Sequence, residues 1–347
     1  MKYITGGIFM KALFIGGTGT ISTAISEKLI NDGHELWLIN RGNHNDTLPE
    51  GAHILTADVN DESHVAELIK DMNFDVVADF IAFVPEQLER DYRLFKGKTK
   101  QFIFISTATV YQKPGHNYLI TEGTSLCNQE WGYSRNKIKC EEYLMKLYRD
   151  ENFPVTIVRP SHTYSQRTLP NGVQGKNGTY QTIRRMLAGK PILMHGDGTA
   201  FWTLTFNRDF AVGFVGLMGN PHANGEAVHI TSDEVLTWNQ IYQIMADALG
   251  VEFKPYYVAS EFLYKAAEWN DGVIFDKTLT LIFDNSKLKR LVPEFKATTR
   301  WDQGFRIAME YLNAHPEYQT EDPEFDEWCD KVIEVQEAAL AKLKEIS

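Results

Sequence analysis

The chain has 347 residues, of which 43% are hydrophobic, and this is enough to bury one large core or two smaller ones. Its formal net charge of -11 disfavours nucleic acid or an anionic membrane as a partner, because both require a basic surface. No apolar run is long enough to span a bilayer. The three cysteines are scattered without CxxC spacing, so the sequence predicts neither a disulfide framework nor a metal site, and it favours a cytoplasmic protein.

Strand-like apolar runs alternate with helical patterns through the first half of the chain. A short strand at 12–16 is followed by a helix at 20–33, in which apolar residues recur at helical spacing and Gly33 is a C-terminal cap. Such alternation indicates βαβ units, and the nearly continuous apolar strands are typical of a parallel sheet covered by helices on both faces. The further predicted elements of this half are strands within 34–40, 52–58, 74–83 and 101–107, and helices at 61–72 and 85–95.

The predicted elements become shorter in the second half, where they include a strand at 227–231 and a helix at 238–250. We predict an α/β fold, with a Rossmann-type doubly wound parallel sheet and a smaller C-terminal substrate-binding lobe. The predicted organisation is a dispensable N-terminal extension at 1–9, a Rossmann domain at 10–165, a lobe at 166–320 partly interleaved with that domain, and an acidic surface helix at 321–347.

A glycine cluster joins the first predicted strand to the first helix. Gly16, Gly17 and Gly19 permit unusual backbone angles and let main-chain N–H groups approach a pyrophosphate, which the helix N-terminus also favours. Within a βαβ unit this pattern indicates dinucleotide binding, and the alternative is a tight turn without a ligand. Asp58, at the end of another strand, can accept a hydrogen bond from an adenine amino group, or it can cap the helix that follows.

Tyr133 and Lys137 lie four residues apart on a predicted helix, so their side chains share one face. The ordinary phenol pKa of about 10 is too high for an efficient base at neutral pH, and a neighbouring ammonium favours the phenolate and lowers that pKa. Thr107, at the end of a strand, can hydrogen-bond the same substrate oxygen. The pair alone is common by chance on a helix, but downstream of a dinucleotide turn it predicts a catalytic site.

These residues belong to motifs that follow one another along the chain. Together the motifs resemble the extended short-chain dehydrogenase/reductase superfamily, in particular its NAD-dependent epimerase/dehydratase family, over roughly 11–315. They are, in order, GGTGTIS at 16–22, Asp58, STATVY at 106–111, YSRNK at 133–137, VTIVRPSHTYS at 155–165, GDG at 196–198 and FDNSKLKRLVPEF at 283–295.

The resemblance implies roles for individual residues. Thr107, Tyr133 and Lys137 would form the catalytic triad, with Tyr133 as the acid/base and Lys137 holding the nicotinamide ribose. Thr109 and Trp202 would contact the substrate, and the protein would form a homodimer. The residues expected to contact NAD(P) are Gly16, Gly17, Thr18, Gly19, Thr20, Ile21, Asn40, Arg41, Asp58, Val59, Phe80, Ile81, Ala82, Ser106, Tyr133, Lys137, Pro160, Ser161 and His162, with Arg159 beside the nicotinamide or the substrate.

Two departures from the family pattern bear on the cofactor. Ser22 occupies the third position of the GxxGxxG pattern, where a small residue still permits close helix packing. The second strand ends in Asn40 and Arg41 rather than in an acidic residue. Because an arginine there can accept a 2′-phosphate, the sequence favours NADP over NAD, and the alternative is an arginine that faces solvent.

Two further departures bear on the reaction. Ala108 and Thr109 stand where sugar 4,6-dehydratases of the superfamily carry Asp-Glu, so dehydration is not expected. Phe201 and Trp202 occupy the neighbourhood in which nucleotide-sugar enzymes place an arginine that clamps the diphosphate, and Arg208 comes too late in the chain to replace it. A nucleotide sugar is therefore one candidate substrate among sugars and related polyols.

We therefore predict an NAD(P)-dependent epimerase or dehydrogenase/reductase that oxidises a secondary alcohol of a sugar or sugar nucleotide to a ketone. Tyr133 would take the hydroxyl proton and the nicotinamide would take the hydride. One alternative is an RNA-binding protein of the chloroplast stem-loop-binding type, which the acidic composition disfavours. Another is a non-catalytic NADP-sensing regulator, which is disfavoured because such proteins often lose the Tyr–Lys pair that this chain keeps.

Overall fold

The computed structural model describes residues 9–42, 48–128 and 130–346. Residues 1–8, which make up most of the predicted N-terminal extension, lie outside this described part, and Phe9 is exposed. The described strands are β1 (Lys11–Ile15), β2 (Glu35–Asn40), β3 (His53–Thr56), β4 (Val76–Asp79), β5 (Phe102–Ile105), β6 (Leu119–Ile120), β7 (Val155–Pro160), β8 (His162–Tyr164), β9 (Ile192–His195), β10 (Phe201–Trp202), β11 (Leu204–Phe206), β12 (Ala227–Ile230), β13 (Leu236–Thr237), β14 (Pro255–Val258) and β15 (Ile282–Phe283). The described α-helices are α1 (Thr20–Asn31), α2 (Glu62–Leu68), α3 (Pro85–Phe95), α4 (Gly132–Glu151), α5 (Tyr180–Leu187), α6 (Asn207–Leu217), α7 (Trp238–Leu249), α8 (Ser260–Ala266), α9 (Ser286–Leu291), α10 (Trp301–Ala314) and α11 (Pro323–Lys344).

A seven-stranded parallel sheet lies at the centre of the described chain, in the order β3-β2-β1-β4-β5-β7-β12. The strand order reverses direction between β1 and β4, as in doubly wound dinucleotide-binding folds. Along β1, Ala12 and Phe14 pack on one face of the sheet, whereas Leu13 and Ile15 pack on the other. Helices α1 and α6 cover the first face, and α2, α3 and α4 cover the second. The predicted Rossmann-type doubly wound sheet is confirmed.

Helix α1 ends at the glycine that the sequence indicates. Gly33 has a φ of +87°, an angle that glycine adopts without a steric penalty. Its N–H donates to Ile30 O at 2.9 Å, and the N–H of His34 donates to Leu29 O at 3.1 Å. This pair of bonds is a Schellman motif, which satisfies carbonyls that the helix end would otherwise leave open. The predicted C-terminal cap is confirmed.

The second half of the chain alternates between the sheet and a smaller lobe. Strand β12, which the sequence pattern had grouped with the short elements of the lobe, pairs with β7 at the sheet edge, and its Val228 and Ile230 complete the core beneath α6 and α9. The lobe has its own core, in which α5, α7 and α10 surround the fully buried Trp238 and Trp301. The chain therefore leaves the sheet after β7 and returns to it at β12.

The first half of α11 packs onto the body of the protein, although the sequence indicates a surface helix. Phe325, Cys329 and Val332 recur at helical spacing and are buried against residues that include Val173 and Val273. The side chains from 338 to 346 are exposed. Neither α11 nor any other helix in the described part of the chain is long and apolar enough to cross a bilayer.

Candidate active site

The turn between β1 and α1 is shaped so that a ligand can approach the backbone. Gly16 and Gly17 have φ angles of +90° and +144°, which residues with a side chain rarely adopt, and a Cβ on Gly17 would lie 2.9 Å from Leu38 Cδ2. Gly19 is the N-cap of α1, and the N–H groups of the first helical turn have no intrahelical acceptor. An anion in this turn would meet free donors and the positive end of the helix dipole.

Ser22 shows how the turn tolerates the loss of the third glycine. Its Oγ accepts a hydrogen bond from Gly19 N–H at 3.0 Å, and the residue is buried. The hydroxyl therefore caps the start of the helix while staying small enough for close packing. The neighbouring Thr18, Thr20 and Ile21 are half-buried around this start.

The loop after β4 presents an apolar wall beside the glycine turn. Asp79 Oδ1 accepts hydrogen bonds from the N–H groups of Ile81 at 2.5 Å and Ala82 at 2.7 Å, which hold the loop at the strand end. Ile81 and Phe83 are 41% and 48% exposed, and a Cβ on Gly16 would lie 3.0 Å from Ile81 Cγ2. Large apolar side chains left uncovered next to a glycine turn fit the flat rings of a dinucleotide.

Arg41 follows the last residue of β2. Asn40 Oδ1 accepts a hydrogen bond from Gly42 N–H at 3.0 Å, which turns the chain after the strand. Arg41, between them, is exposed. Its position is compatible with a 2′-phosphate contact and equally with a solvent-facing arginine.

Asp58 lies at the expected strand end, but it does not cap the next helix. Its Oδ1 accepts hydrogen bonds from the backbone and side-chain nitrogens of Asn60, both at 2.9 Å, and the residue is exposed. The cap of α2 is Asp61, whose carboxylate accepts a hydrogen bond from His64 N–H at 3.1 Å. The alternative role of Asp58 as a cap is therefore wrong. Val59 is buried next to it.

Lys137 forms hydrogen bonds to the loop after β4 and to the last residue of β5. Its buried Nζ donates to the carbonyl oxygens of Ala82 and Ile105, each at 2.7 Å. Burial lowers the pKa of Lys137 to about 8. Because an ammonium carries three donors, one N–H remains for a ligand beside the loop that follows β4.

Tyr133 lies one helical turn before Lys137 on α4 and interacts with Thr107. Burial raises the pKa of Tyr133, and a hydrogen bond with Thr107 partly opposes the rise. The expectation that Lys137 lowers this pKa is wrong for the structure described, because the ammonium of Lys137 contacts the carbonyls of Ala82 and Ile105 instead. The neutral phenol is the favoured form, so Tyr133 can donate a proton.

Three predicted site residues have side chains that turn into the core, namely Phe80, Ser106 and Arg159. Arg159 is buried and forms an ion pair with Glu141 at 2.5 Å, so the expectation that it lies beside the nicotinamide or the substrate is wrong. The buried carboxylate of Glu141 also accepts a hydrogen bond from Ser106 Oγ at 2.5 Å. The ring of Phe80 packs against Phe14, with their centroids 5.1 Å apart.

A cavity of about 280 Å³ opens beside Tyr133. Residues from the strand ends of the sheet line one part of it, and residues of the lobe line the rest. The predicted site residues that the structure brings together here are Thr107, Thr109, Tyr133, Pro160, Ser161, His162 and Trp202.

His162 and Trp202 form a hydrogen-bonded pair in this cavity. Trp202 Nε1 donates to His162 Nδ1 at 3.0 Å, and Trp202 is buried. Burial lowers the pKa of His162 to about 3, so the imidazole is neutral. The adjacent Ser161 donates its hydroxyl to Thr203 O at 3.2 Å. His162 and Trp202 thus line the cavity as a hydrogen-bonded pair, and Ser161 is held by a backbone carbonyl.

The sequence analysis missed part of the cavity wall. Gln174, Asp276, Lys277 and Leu281 line it, and Asp276 forms an ion pair with Lys113. Gln174 and Leu281 lie in irregular segments, Asp276 and Lys277 end the π-helical turn Val273–Lys277, and none of these segments contains a recognisable motif. The signal that could have revealed two of them is the charged pair at 276–277 within the otherwise apolar run GVIFDKTLTLIF.

Arg208 lies outside this cavity. It lines a separate cavity of about 230 Å³ beside Thr18 and Thr20, and it donates to Gln166 Oε1 at 3.0 Å. It therefore does not replace the missing arginine of the nucleotide-sugar enzymes next to Tyr133. In the described ranges, no group of three or more His, Cys, Asp or Glu side chains could hold a metal ion.

The family model for the NAD dependent epimerase/dehydratase family matches residues 12–231, which is more than half of the chain. The chain belongs to this family. Together with the similar proteins below, the match means that the chain is an enzyme, in agreement with the sequence analysis.

Two similar curated proteins are named as enzymes, one as a reductase and one as a decarboxylase of a UDP-linked sugar acid. The chain is 23% identical over 287 residues to the 2′-dehydrokanamycin reductase of Streptomyces kanamyceticus, covering 83% of this chain and 80% of that protein. It is 24% identical over 332 residues to the UDP-N-acetyl-alpha-D-glucosaminuronate decarboxylase of Bacillus cytotoxicus, covering 87% of this chain and 97% of that protein.

A similar solved structure supports the fold. The UDP-glucuronic acid 4-epimerase of Bacillus cereus, solved in complex with NAD, superimposes with a TM-score of 0.70 at 18% identity, covering 88% of this chain and 99% of that one. The family and this neighbour are associated with NAD, and neither supports the expected preference for NADP.

Proposed function

We propose that the protein catalyses NAD-dependent hydride transfer at a secondary alcohol of a sugar or sugar derivative, through a ketone, with Tyr133 as the proton-transfer group. The observation that carries this proposal is the placement of Tyr133 and Thr107 together on the wall of a cavity, with the ammonium of Lys137 held one helical turn away. This arrangement positions one proton donor and one hydrogen-bonding hydroxyl for a single substrate oxygen.

The residues around the glycine turn fit a bound dinucleotide. The positive φ angles of Gly16 and Gly17 and the open start of α1 would accommodate the pyrophosphate. The exposed Ile81 would cover a ring, and the remaining donor of Lys137 would bind the nicotinamide ribose. When bound, NAD supplies the hydride acceptor or donor. A preference of the protein for NADP over NAD remains a hypothesis that rests on Arg41 alone.

Tyr133 would bind the reacting oxygen and move its proton. The raised pKa keeps the phenol protonated in the free protein, so Tyr133 can give its proton to a ketone oxygen. Thr107 would share the same oxygen and hold it within reach. The apolar Ala108 follows Thr107 on this wall, where a dehydratase would need an acid, so we propose reduction or epimerisation rather than loss of water.

The two alternatives from the sequence analysis are less well supported. An RNA-binding role needs a basic surface, and the net charge is -11. A gel shift with RNA at low micromolar protein that weakens with salt would revive this alternative. A regulator without turnover would not need a tyrosine and a threonine together on a cavity wall with a buried lysine one helical turn away.

The test replaces Tyr133 by phenylalanine. The parent would first be screened with NADH or NADPH and a panel of keto sugars and sugar nucleotides, with oxidation of the reduced nicotinamide followed by absorbance. Tyr133→Phe keeps the ring and removes the proton, so turnover should fall by about 10²- to 10⁴-fold with little change in cofactor affinity. Thr107→Val should also lower turnover, whereas Lys137→Met should lower both turnover and cofactor affinity.

Tyr118→Phe is the matched control, because Tyr118 is 73% exposed and does not line the cavity. It should keep the parent rate. A Tyr133→Phe variant that stays within a few-fold of the parent would refute the catalytic assignment, even if NAD binds.

A further inference from the structure

The cavity beside Tyr133 contains hydrogen-bond donors that the proposed proton transfer does not use. Lys277, His162 and Thr109 all line it. Each has at least one polar group for which the described residues offer no acceptor. A wall with surplus donors is suited to a ligand that brings acceptors.

Lys277 is a fixed cation with a free donor. Its Nζ donates to the carbonyl oxygens of Asn171 at 2.8 Å and Gly172 at 3.2 Å, which leaves the third N–H of the ammonium. Its own carbonyl accepts hydrogen bonds from His195 Nε2 at 3.0 Å and Trp238 Nε1 at 3.1 Å. Burial lowers the pKa of Lys277 to about 8. The side chain and the backbone of this lysine are therefore both held in place.

No acidic side chain among the described residues pairs with Lys277. Asp276, its neighbour in the chain, is bound to Lys113, so these two charges offset each other. The charge of Asp271 raises the pKa of Lys277 without an ion pair between them, and the Asp271 carboxylate accepts a hydrogen bond from Trp131 Nε1 at 2.8 Å. Within the described chain, no carboxylate lies within 4.0 Å of the Lys277 ammonium.

His162 adds a neutral donor of fixed orientation. Because Trp202 donates to its Nδ1, that nitrogen carries no proton, and the neutral imidazole carries its proton on Nε2. Burial and then the Lys277 charge lower the pKa of His162, so it stays neutral across the physiological range. Thr109 is 9% exposed, and its hydroxyl is buried without a hydrogen-bond partner among the described residues. Three residues that carry an ammonium, an imidazole N–H and a hydroxyl thus line one small cavity.

We propose that Lys277, His162 and Thr109 form an anion subsite, which binds a carboxylate or a phosphate ester carried by the substrate itself. The inference rests on the proposed function, because it assumes that the reacting sugar occupies the cavity beside Tyr133. The cavity volume of about 280 Å³ is just below the usual range for ligand pockets, and Trp202 stands in the neighbourhood of the usual diphosphate-clamping arginine. The charge is therefore expected on the sugar, as in a sugar acid or a sugar phosphate, rather than on a nucleoside diphosphate.

The experiment compares binding of three probes to the NAD-loaded protein by calorimetry: glucose, glucuronate and glucose 6-phosphate. At least one acidic probe should bind at least tenfold more tightly than glucose, and added salt should weaken the difference. Preference for glucuronate would assign the subsite to a carboxylate, and preference for glucose 6-phosphate would assign it to a phosphate. Equal affinity for all three probes, or no detectable binding of either acid, would overturn the proposal.

Variants connect the preference to the subsite. Lys277→Met should erase the preference for the acidic probe, and Lys277→Arg should retain most of it. Thr109→Val should reduce the preference for the acidic probe by a few-fold. It should leave the protein folded, because the Thr109 hydroxyl has no hydrogen-bond partner among the described residues. Lys70→Met removes an exposed lysine outside the cavity and should change nothing. NAD affinity reports whether each variant is folded.

These binding measurements do not depend on turnover. A parent that binds NAD and an acidic sugar but fails the Tyr133→Phe test would refute the catalytic proposal and leave the subsite standing. Retention of the acidic preference in a folded Lys277→Met variant would refute the subsite and leave the catalytic proposal untouched.

Discussion

At the scale of single residues, Lys137 shows how a buried cation becomes pH-sensitive. Two of its donors are bound to the carbonyls of Ala82 and Ile105, and burial lowers its pKa to about 8 from its ordinary value of 10.5. The unfolded chain therefore binds more protons than the folded one between these values, so this group makes the folded state more stable as pH rises through that window. The charge that would hold the cofactor ribose is lost over the same range.

Cofactor affinity should fall as pH rises through about 8. Binding that requires the Lys137 ammonium loses at most about tenfold in affinity for each pH unit above its pKa. Lys137→Arg keeps a positive charge at all these pH values and should flatten the profile, which a fluorescence titration with NADH would measure. A parent profile that is flat from about pH 7 to about pH 9 would contradict this role of Lys137.

Arg41 decides the cofactor hypothesis. If its guanidinium meets a 2′-phosphate, NADP should bind more tightly than NAD, and Arg41→Ala should erase most of the difference, on the order of 1 to 3 kcal/mol. Lys28→Ala, which removes a half-exposed cation of α1, serves as the charge-matched control and should leave the difference in place. Equal affinity of the parent for both cofactors would refute the hypothesis and favour NAD.

At the scale of elements, the sequence predicts best where local geometry demands a particular residue. The glycines of the first turn, the Gly33 cap and the shared face of Tyr133 and Lys137 follow from backbone angles and helical spacing. The sequence predicts some interleaving of the lobe with the sheet, but it could not predict that β12 pairs with β7, because edge pairing depends on residues far away in the chain. Lys277 was missed for the same reason, since its partners lie more than 100 residues earlier.

The glycine turn gives a prediction that separates strain from ligand approach. Gly17→Ala would force a side chain onto a φ of +144° and into Leu38, so it should lower both stability and NAD affinity. Gly33→Ala also imposes a positive φ, but nothing lies within 4 Å of its Cβ, so it should cost about 1 to 2 kcal/mol of stability and leave NAD affinity unchanged. Denaturant unfolding and NADH titration measure the two effects. Equal losses of NAD affinity in both variants would count against a cofactor site at Gly17.

At the scale of the whole molecule, the cavity beside Tyr133 lies between two cores. Helix α4 and the segment after β5, which both pack in the core of the sheet, supply Tyr133 and Thr107, and the lobe supplies Lys277 and Gln174. Cofactor binding and substrate binding should therefore depend on different parts of the structure. The expected homodimer remains a prediction, which sedimentation equilibrium would test.

Helix α11 stabilises the lobe side of the cavity. Its buried Phe325 and Val332 pack against Val173, which precedes Gln174, and against Val273, which begins the turn that carries Lys277. Deleting 321–347 would expose this cluster, at a cost of about 1.5 to 3 kcal/mol for each large apolar side chain removed. We expect the thermal midpoint to fall by about 10 °C or more and the acidic-probe affinity to fall with it.

The same deletion should leave NAD affinity within about threefold of the parent, because the glycine turn and the Lys137 carbonyl contacts lie in the sheet domain. The control deletion removes only 338–347, whose described side chains are exposed, and it should lower the thermal midpoint by no more than about 2 °C. Differential scanning fluorimetry and NADH titration give both readouts. If the two deletions lower stability equally, the packing of Phe325 does not hold the lobe; if the long deletion abolishes NAD binding, the two cores are not independent.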